Sequence, residues 1–289
     1  MPDFITRFAP SPTGLLHLGH AFSALTAAEA AKKAGGKLLL RIEDLGPPRY
    51  RPDYDKAIYD DLAWLGLDWE TPARRQSDHF ADYSAALQRL IDEGLVYRCF
   101  KTRAEIVDEI ARAPHLSPGG PEGPAYIGAP LAAHVERSLL AEGAPFAWRL
   151  SIAAARARLG ARLDDLTLTE EALDPPYKRR IINLRVDLFG DVILARKDSG
   201  TSYHLASTHD DALQGVTHVI RGEDLRPAAH VHRLLQALLD WPATLYRHHP
   251  LLTDETGKRL AKRDKAATLK SSREAGETPE SVRARLGFV

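Results

Sequence analysis

Apolar positions recur along this chain in blocks that alternate between strand-like runs and helix-like stripes. Phe4 and Ile5 form a short apolar stretch, and Pro10, Pro12 and Gly14 then forbid helix or ladder continuation. From Leu18 the spacing turns helical: Leu18, Phe22 and Leu25 recur four and three apart, and Gly35-Gly36 supplies the stop. Leu38-Leu39-Leu40 reads as a buried strand with a polar end, Arg41-Ile42-Glu43-Asp44. Strand, helix and strand in that order predict a right-handed parallel crossover. Ligands of such sheets gather at the carboxyl ends of the strands, which brings Arg7 and Glu43 beside His17 and His20.

Pro52-Asp53 opens the next predicted helix, with Ile58, Leu62 and Leu65 on one face and Gly66 as its end. Asp78 is expected to cap another, whose stripe is Phe80, Tyr83, Leu87, Leu90 and Ile91. Leu95-Val96-Tyr97 predicts a strand. At Cys99 the character changes. Thr102 and Glu105 have capping-box spacing, residues 114 to 130 are crowded with proline and glycine, and Phe146 to Leu150 reads as a strand. Residues 99–180 are therefore read as an insertion splitting an α/β, Rossmann-type parallel-sheet core into 1–98 and 181–240. Sheet patterning returns at Val192 to Ala195 and Val216 to Ile220, and residues 227 to 239 carry a helical stripe of Val231, Leu234, Leu235 and Leu238. Residues 241–289 form a small, mostly helical C-terminal part, with a capped helix beginning at Thr278-Pro279.

Lys plus Arg equals Asp plus Glu at 39 each, so no chain-wide field advertises a polyanionic partner. Local basic stretches remain at Lys178-Arg179-Arg180 and between Lys258 and Lys270; each is equally a binding face or a solvated surface. One cysteine, Cys99, excludes an internal disulfide and suits a reducing compartment. No signal-peptide pattern and no run of ~20 apolar residues is present, so the cytoplasm is expected.

Two short segments carry the chemistry. Residues 7–20, ending in His17-Leu-Gly-His20, place two imidazoles at a helix mouth, where orphan N–H groups and the dipole attract anions. Arg259-Leu-Ala-Lys-Arg263 follows far downstream. In that order they resemble the HIGH and KMSKS signatures of class I aminoacyl-tRNA synthetases. Arg7-Phe-Ala-Pro-Ser11, Arg41 to Asp44, Tyr203-His-Leu-Ala206 with Asp210-Asp211, and Arg221-Gly-Glu-Asp-Leu225 resemble the glutamyl branch of that family.

The resemblance implies a glutamate pocket made by Arg7, Phe8, Ala9, Pro10, Ser11, Glu43, Tyr203 and Arg221. Side-chain chemistry agrees, because glutamate presents two carboxylates and one ammonium. Arg7 and Arg221 can each grip a carboxylate, Glu43 can hold the ammonium, and Tyr203 is expected to donate its hydroxyl to the side-chain carboxylate. ATP, with Mg²⁺ on its phosphates, is expected against His17, Gly19, His20, Arg259, Leu260 and Lys262. Of these, His17, His20 and Lys262 are the implied catalytic groups. The second signature departs from the family pattern, with Arg259 for the first Lys and Ala261 for Ser, but Lys262 remains.

Only 26 residues follow Arg263, where tRNA-charging glutamyl synthetases continue into an anticodon-binding portion. That resembles the members of the branch that attach glutamate to the queuosine base of tRNA(Asp). The implied partners are L-glutamate, ATP and queuosine-modified tRNA(Asp), used by a monomer with no membrane contact. A shortened tRNA-charging enzyme and a non-catalytic tRNA-binding paralogue are the alternatives. The family insertion often holds zinc. Here its ligand positions read Cys99, Lys101, Tyr126 and Pro130, of which only Cys99 and Tyr126 are plausible ligands; no metal is expected. His230, His232, His248 and His249 are read as helix and loop residues rather than ligands.

Overall fold

The computed structural model describes residues 3–45, 52–112, 119–120, 123–253 and 268–288. Its first unit is the predicted crossover: β1 (Ile5–Phe8), α1 (Leu18–Lys33) and β2 (Lys37–Ile42), with β1 and β2 parallel. The buried face of α1 is narrower than its sequence stripe suggests. Ala21, Ala24, Leu25, Ala27 and Ala31 face inward, whereas Leu18 and Phe22 are half-buried, because small side chains let the helix lie close to the sheet. After α2 (Pro52–Trp64), β3 (Glu70–Arg75) joins β2 in parallel.

Asp78 does not cap the next helix. It lies in a 3₁₀ turn, Gln76–His79, and α3 (Phe80–Asp92) starts after His79 without a side-chain cap. β4 (Val96–Cys99) leads to α4 (Arg103–Arg112), where Thr102 and Glu105 make the reciprocal bonds of a capping box. The Pro/Gly-rich segment contributes a two-residue pair, β5 (Gly119–Gly120) with β6 (Gly123–Pro124), before α5 (Ala133–Ala141). β7 (Ala147–Leu150) and α6 (Ile152–Leu159) follow.

Two strands that the sequence pattern does not mark follow, β8 (Thr167–Glu171) and β9 (Arg179–Asn183), which pair antiparallel. β10 (Ile193–Arg196) pairs with β7, and β7 with β4, in a separate antiparallel sheet. The strand expected at Val192 to Ala195 thus forms, but beside the inserted strands rather than in the parallel sheet. The chain closes with α7 (Tyr203–Leu213), β11 (His218–Gly222), α8 (Ala228–Leu238), β12 (Leu245–His249), α9 (Leu269–Glu274) and α10 (Pro279–Arg285). His248 and His249 belong to a strand, not a loop.

β11, β12 and β8 run parallel, with β9 at the edge. The Thr217 N–H donates to the Ile5 carbonyl and the Ile5 N–H to Thr217 Oγ1, both at 2.9 Å, so β11 lies beside β1. The strand order is therefore 3-2-1-11-12-8-9. The progression reverses between β1 and β11, and the carboxyl ends there border the crevice that such sheets use for ligands.

Candidate active site

Three strand ends converge at that crevice. Arg7 and Phe8 end β1, Arg41 ends β2 with Glu43 just beyond, and Arg221 ends β11. The Glu43 N–H donates to the Pro10 carbonyl at 3.0 Å, which fixes the first signature turn against the end of β2. Phe8 and Pro10 are buried, Ala9 is half-buried and Ser11 is exposed.

α7 crosses this end of the sheet. Ser202 caps it through a bond from the Leu205 N–H, and the helical repeat puts Tyr203, Ser207, Asp210 and Asp211 on one face. Asp211 Oδ1 accepts from Arg7 Nε at 3.0 Å and from Arg41 Nη1 at 2.7 Å. Arg41, fully buried, also donates to Ser207 Oγ at 3.1 Å and to Glu43 at 3.2 Å. Asp210 accepts from Arg74 Nε, Gln76 Nε2 and the Tyr83 hydroxyl, at 2.9, 3.0 and 2.9 Å. Burial by itself would raise both aspartates; the surrounding arginines and hydrogen bonds hold them below the usual carboxylate range. Glu43 differs: burial outweighs Arg41 and Arg7, and its carboxyl is raised.

Arg221 is held in another way. It is 4% exposed, and its partners are the Tyr203 hydroxyl at 3.1 Å, His248 Nε2 and His232 Nδ1 at 3.5 Å, and the Tyr246 ring at 5.3 Å. Its Nη2 is buried without a hydrogen-bond partner, and no carboxylate pairs with it among the described residues. Tyr203 is expected to donate its hydroxyl to a ligand; its oxygen accepts from Arg221, which leaves the O–H for that role. In sequence, His232 and His248 read as helix and loop residues rather than ligands. Only the fold reveals that β12 and α8 aim both at Arg221.

At the mouth of α1 the two histidines cap the helix with their own rings. The Gly19 N–H donates to His17 Nδ1 and the His17 N–H to His20 Nδ1, both at 3.1 Å, and the ring centroids are 3.9 Å apart. Both Nδ1 atoms are acceptors, so the neutral rings carry their protons on Nε2. A Cβ on Gly19 would lie 3.0 Å from His17 Cε1, so a side chain there would displace the ring. Thr268 pairs with His17, and the Leu269 N–H donates to the Leu16 carbonyl at 2.9 Å. Arg259, Leu260 and Lys262 lie outside the described residues.

A groove of about 1150 Å³ runs from Ser11, Glu43 and Tyr203 to Phe100, Tyr126 and Phe146 of the inserted sheet region. The residues at the family zinc positions do not fit that ion. Cys99 sits in an apolar cluster with Tyr97, Ile106 and Tyr126, and the Lys101 ammonium lies 5.7 Å from the Tyr126 ring while pairing with Glu109. A cation at that place repels a second one. Among the described residues no group of three or more His, Cys, Asp or Glu could hold a metal. The basic stretch at 178–180 is partly anchored: Arg179 pairs with Glu171 at 2.8 Å and Arg180 with Glu170 at 2.6 Å, carboxylates that also answer Arg247 and Arg226. No helix of the described residues is long and apolar enough to cross a membrane.

The model of the family "tRNA synthetases class I (E and Q), catalytic domain" matches residues 3–288. The glutamyl-Q tRNA(Asp) synthetase of Rhodobacter capsulatus is 45% identical over 98% of this chain and 100% of its own length. The glutamate–tRNA ligase of Aquifex aeolicus is 35% identical over 96% of this chain but 55% of its own length. A crystal structure of a glutamate tRNA ligase from Elizabethkingia meningosepticum, in complex with its amino acid, superposes with a TM-score of 0.76 at 27% identity. This chain spans 60% of that protein's length. The chain belongs to the glutamyl and glutaminyl class I tRNA synthetases, built on their catalytic domain, and ATP is the family's nucleotide substrate.

Proposed function

We propose that the chain activates L-glutamate with ATP and transfers the glutamyl group to the queuosine base of tRNA(Asp). The observation that carries the activation half is Arg221, a buried guanidinium with no carboxylate partner among the described residues, at the carboxyl end of β11. Burying a cation without an anion costs several kcal/mol, roughly, so such a residue is best explained by a ligand carboxylate. Arg7 is the second grip for the amino acid, and Glu43 receives its ammonium. Because Tyr203 bonds to Arg221, both belong to the side-chain carboxylate.

The glutamate α-carboxylate attacks the α-phosphorus of Mg·ATP in line. A carboxylate O–P bond forms, the bond to the bridging oxygen breaks, and pyrophosphate leaves with that electron pair. Positioning and electrostatics do the catalysis. His17 and His20 donate Nε2–H to phosphate oxygens, and Lys262 meets the departing pyrophosphate, with Arg259, Leu260 and Gly19 lining the nucleotide. Thr268 beside His17 supports that role, since six residues of chain from Lys262 to Thr268 reach at most ~22 Å. The groove toward Phe146 is the path for the accepting base. The region 99–180, read from sequence as one insertion, rejoins the core sheet at β8, so the interruption of the catalytic core is shorter than those bounds; a cytoplasmic monomer completes the reading.

Likeness to relatives named glutamyl-Q tRNA(Asp) synthetase supports the acceptor. Likeness to glutamate–tRNA ligases keeps 3′-end charging as the second reading. The deciding experiment supplies labelled glutamate, ATP and tRNA(Asp) with or without queuosine. The proposal expects transfer only with queuosine, through an ester labile to mild alkali, and label that stays with the anticodon fragment after ribonuclease cleavage. Transfer that ignores queuosine and needs an intact 3′ end overturns it.

A further inference from the structure

We propose that His232 and His248 are positioning residues that hold Arg221 through uncharged acceptor nitrogens, reserving its positive charge for the side-chain carboxylate of glutamate. This rests on the reading of Arg221 as a glutamate ligand.

The contrast with its neighbours carries the argument. Arg7 and Arg41 are oriented by Asp211, Arg74 by Asp210, and Arg247 by Glu171, so each has its charge answered by a carboxylate. Arg221 is instead oriented by a phenol at 3.1 Å and two imidazoles at 3.5 Å. An arginine needs acceptors to be oriented, and a carboxylate acceptor would also neutralise it. A neutral imidazole supplies the lone pair without the charge.

Each ring is set to do this by what lies behind it. His248 Nδ1 is 2.7 Å from Glu170 Oε1, so Nδ1 carries the proton and Nε2 offers the lone pair to Arg221 Nε. Glu170 is in turn answered by Arg180 and Arg226, at 2.6 and 3.2 Å, and its charge stays one residue removed from Arg221. His232 is turned the other way. Its Nδ1 faces Arg221 Nη1, and its Nε2 meets His204 Nδ1 at 3.3 Å. The two histidines are therefore opposite tautomers with one duty. Burial, reinforced by Arg221, keeps both neutral: His248 is pushed down to about 4 and His232 well below its usual value.

Ring ¹⁵N spectra of the whole protein at pH 7, assigned by signals lost in H232Q and H248Q, test the tautomers. The expected result is neutral Nδ1–H for His248 and neutral Nε2–H for His232. An imidazolium at either, or both rings in one tautomer, overturns the proposal. Pyrophosphate exchange tests the charge. H248Q keeps a neutral acceptor and should leave the glutamate KM within about 3-fold, whereas H248E should raise it about 30-fold with kcat nearly unchanged. H248E should also narrow the preference for glutamate over glutamine. The double variant H248E/E170Q repeats this without a like-charge contact to Glu170, in case H248E does not fold. Equal KM values for H248Q and the glutamate-bearing variants would sink the idea. R221A separates the layers: an unchanged glutamate KM there rejects the ligand reading itself, whatever the spectra show.

Discussion

Thr268 pairs with His17 across an isolated antiparallel bridge, and the Leu269 N–H reaches the Leu16 carbonyl at 2.9 Å. The first residue described after the second signature segment thus sits on the first signature. α9 secures that contact, because Leu269 is fully buried in the same core cluster as Leu16 and Leu25. Leu269→Ala should destabilise the protein by about 2–5 kcal/mol in denaturant unfolding. At temperatures where the variant stays folded, it should lower kcat for exchange more than it raises the glutamate KM. Unchanged kcat would separate α9 from nucleotide chemistry.

Arg221→Ala and Lys262→Ala should fail differently. Losing Arg221 leaves the bound carboxylate without its charged partner, a cost on the order of 3 kcal/mol, or roughly 100-fold in glutamate KM. Losing Lys262 should instead slow activation at saturating substrates, because its contact tightens as pyrophosphate departs. Matching defects in the two variants would undo these assignments.

Activation should proceed without RNA. Glutamate-dependent exchange of pyrophosphate into ATP is expected from the protein alone, since Arg7, Arg41, Glu43 and Asp211 are already joined in this structure. Exchange that appears only after tRNA is added would count against a preformed site.

Stability should begin to fall below about pH 6.5, well above ordinary carboxylate titration. His204 and His248 are pushed down to about 4 by burial, with Arg221 adding to it, and His218 to about 4 by burial, with Arg247 adding. Below the unfolded value the unfolded chain binds more protons than the folded one, so acid favours unfolding as pH drops from 6.5 toward 4. Denaturant midpoints at pH 7.5 and 5 measure it. A flat profile over that interval would mean these rings are not buried neutral.

Folding should not depend on metal. A structural zinc contributes on the order of 10 kcal/mol in small domains, and chelation would then lower the melting temperature. With Lys101 against Tyr126, EDTA is expected to change nothing, and elemental analysis to find far less than one zinc per chain.

Local pattern was enough for much of this molecule. Apolar spacing and glycine stops placed β1, α1 and β2. Thr102 with Glu105 marked the start of α4 because capping is a contact between residues three apart. The parallel crossover by itself puts Arg7 and Glu43 at one sheet end. Other features were decided at long range. Asp78 looks like a cap, yet it falls in a 3₁₀ turn. The strand at Val192 to Ala195 pairs with β7 because partner choice depends on the whole chain's topology. Arg179 and Arg180 read equally as a binding face or a solvated surface, and only the pairing of β8 with β9 brings Glu170 and Glu171 across from them. Above all, the pairing of Arg221 is invisible in sequence. Motif and spacing name the arginine; only the packing of α7, α8 and β12 shows that its neighbours are a phenol and two neutral imidazoles. Hydrogen bonds between residues as far apart as Arg221 and His248 leave no periodic trace along a chain, because folding alone makes them neighbours.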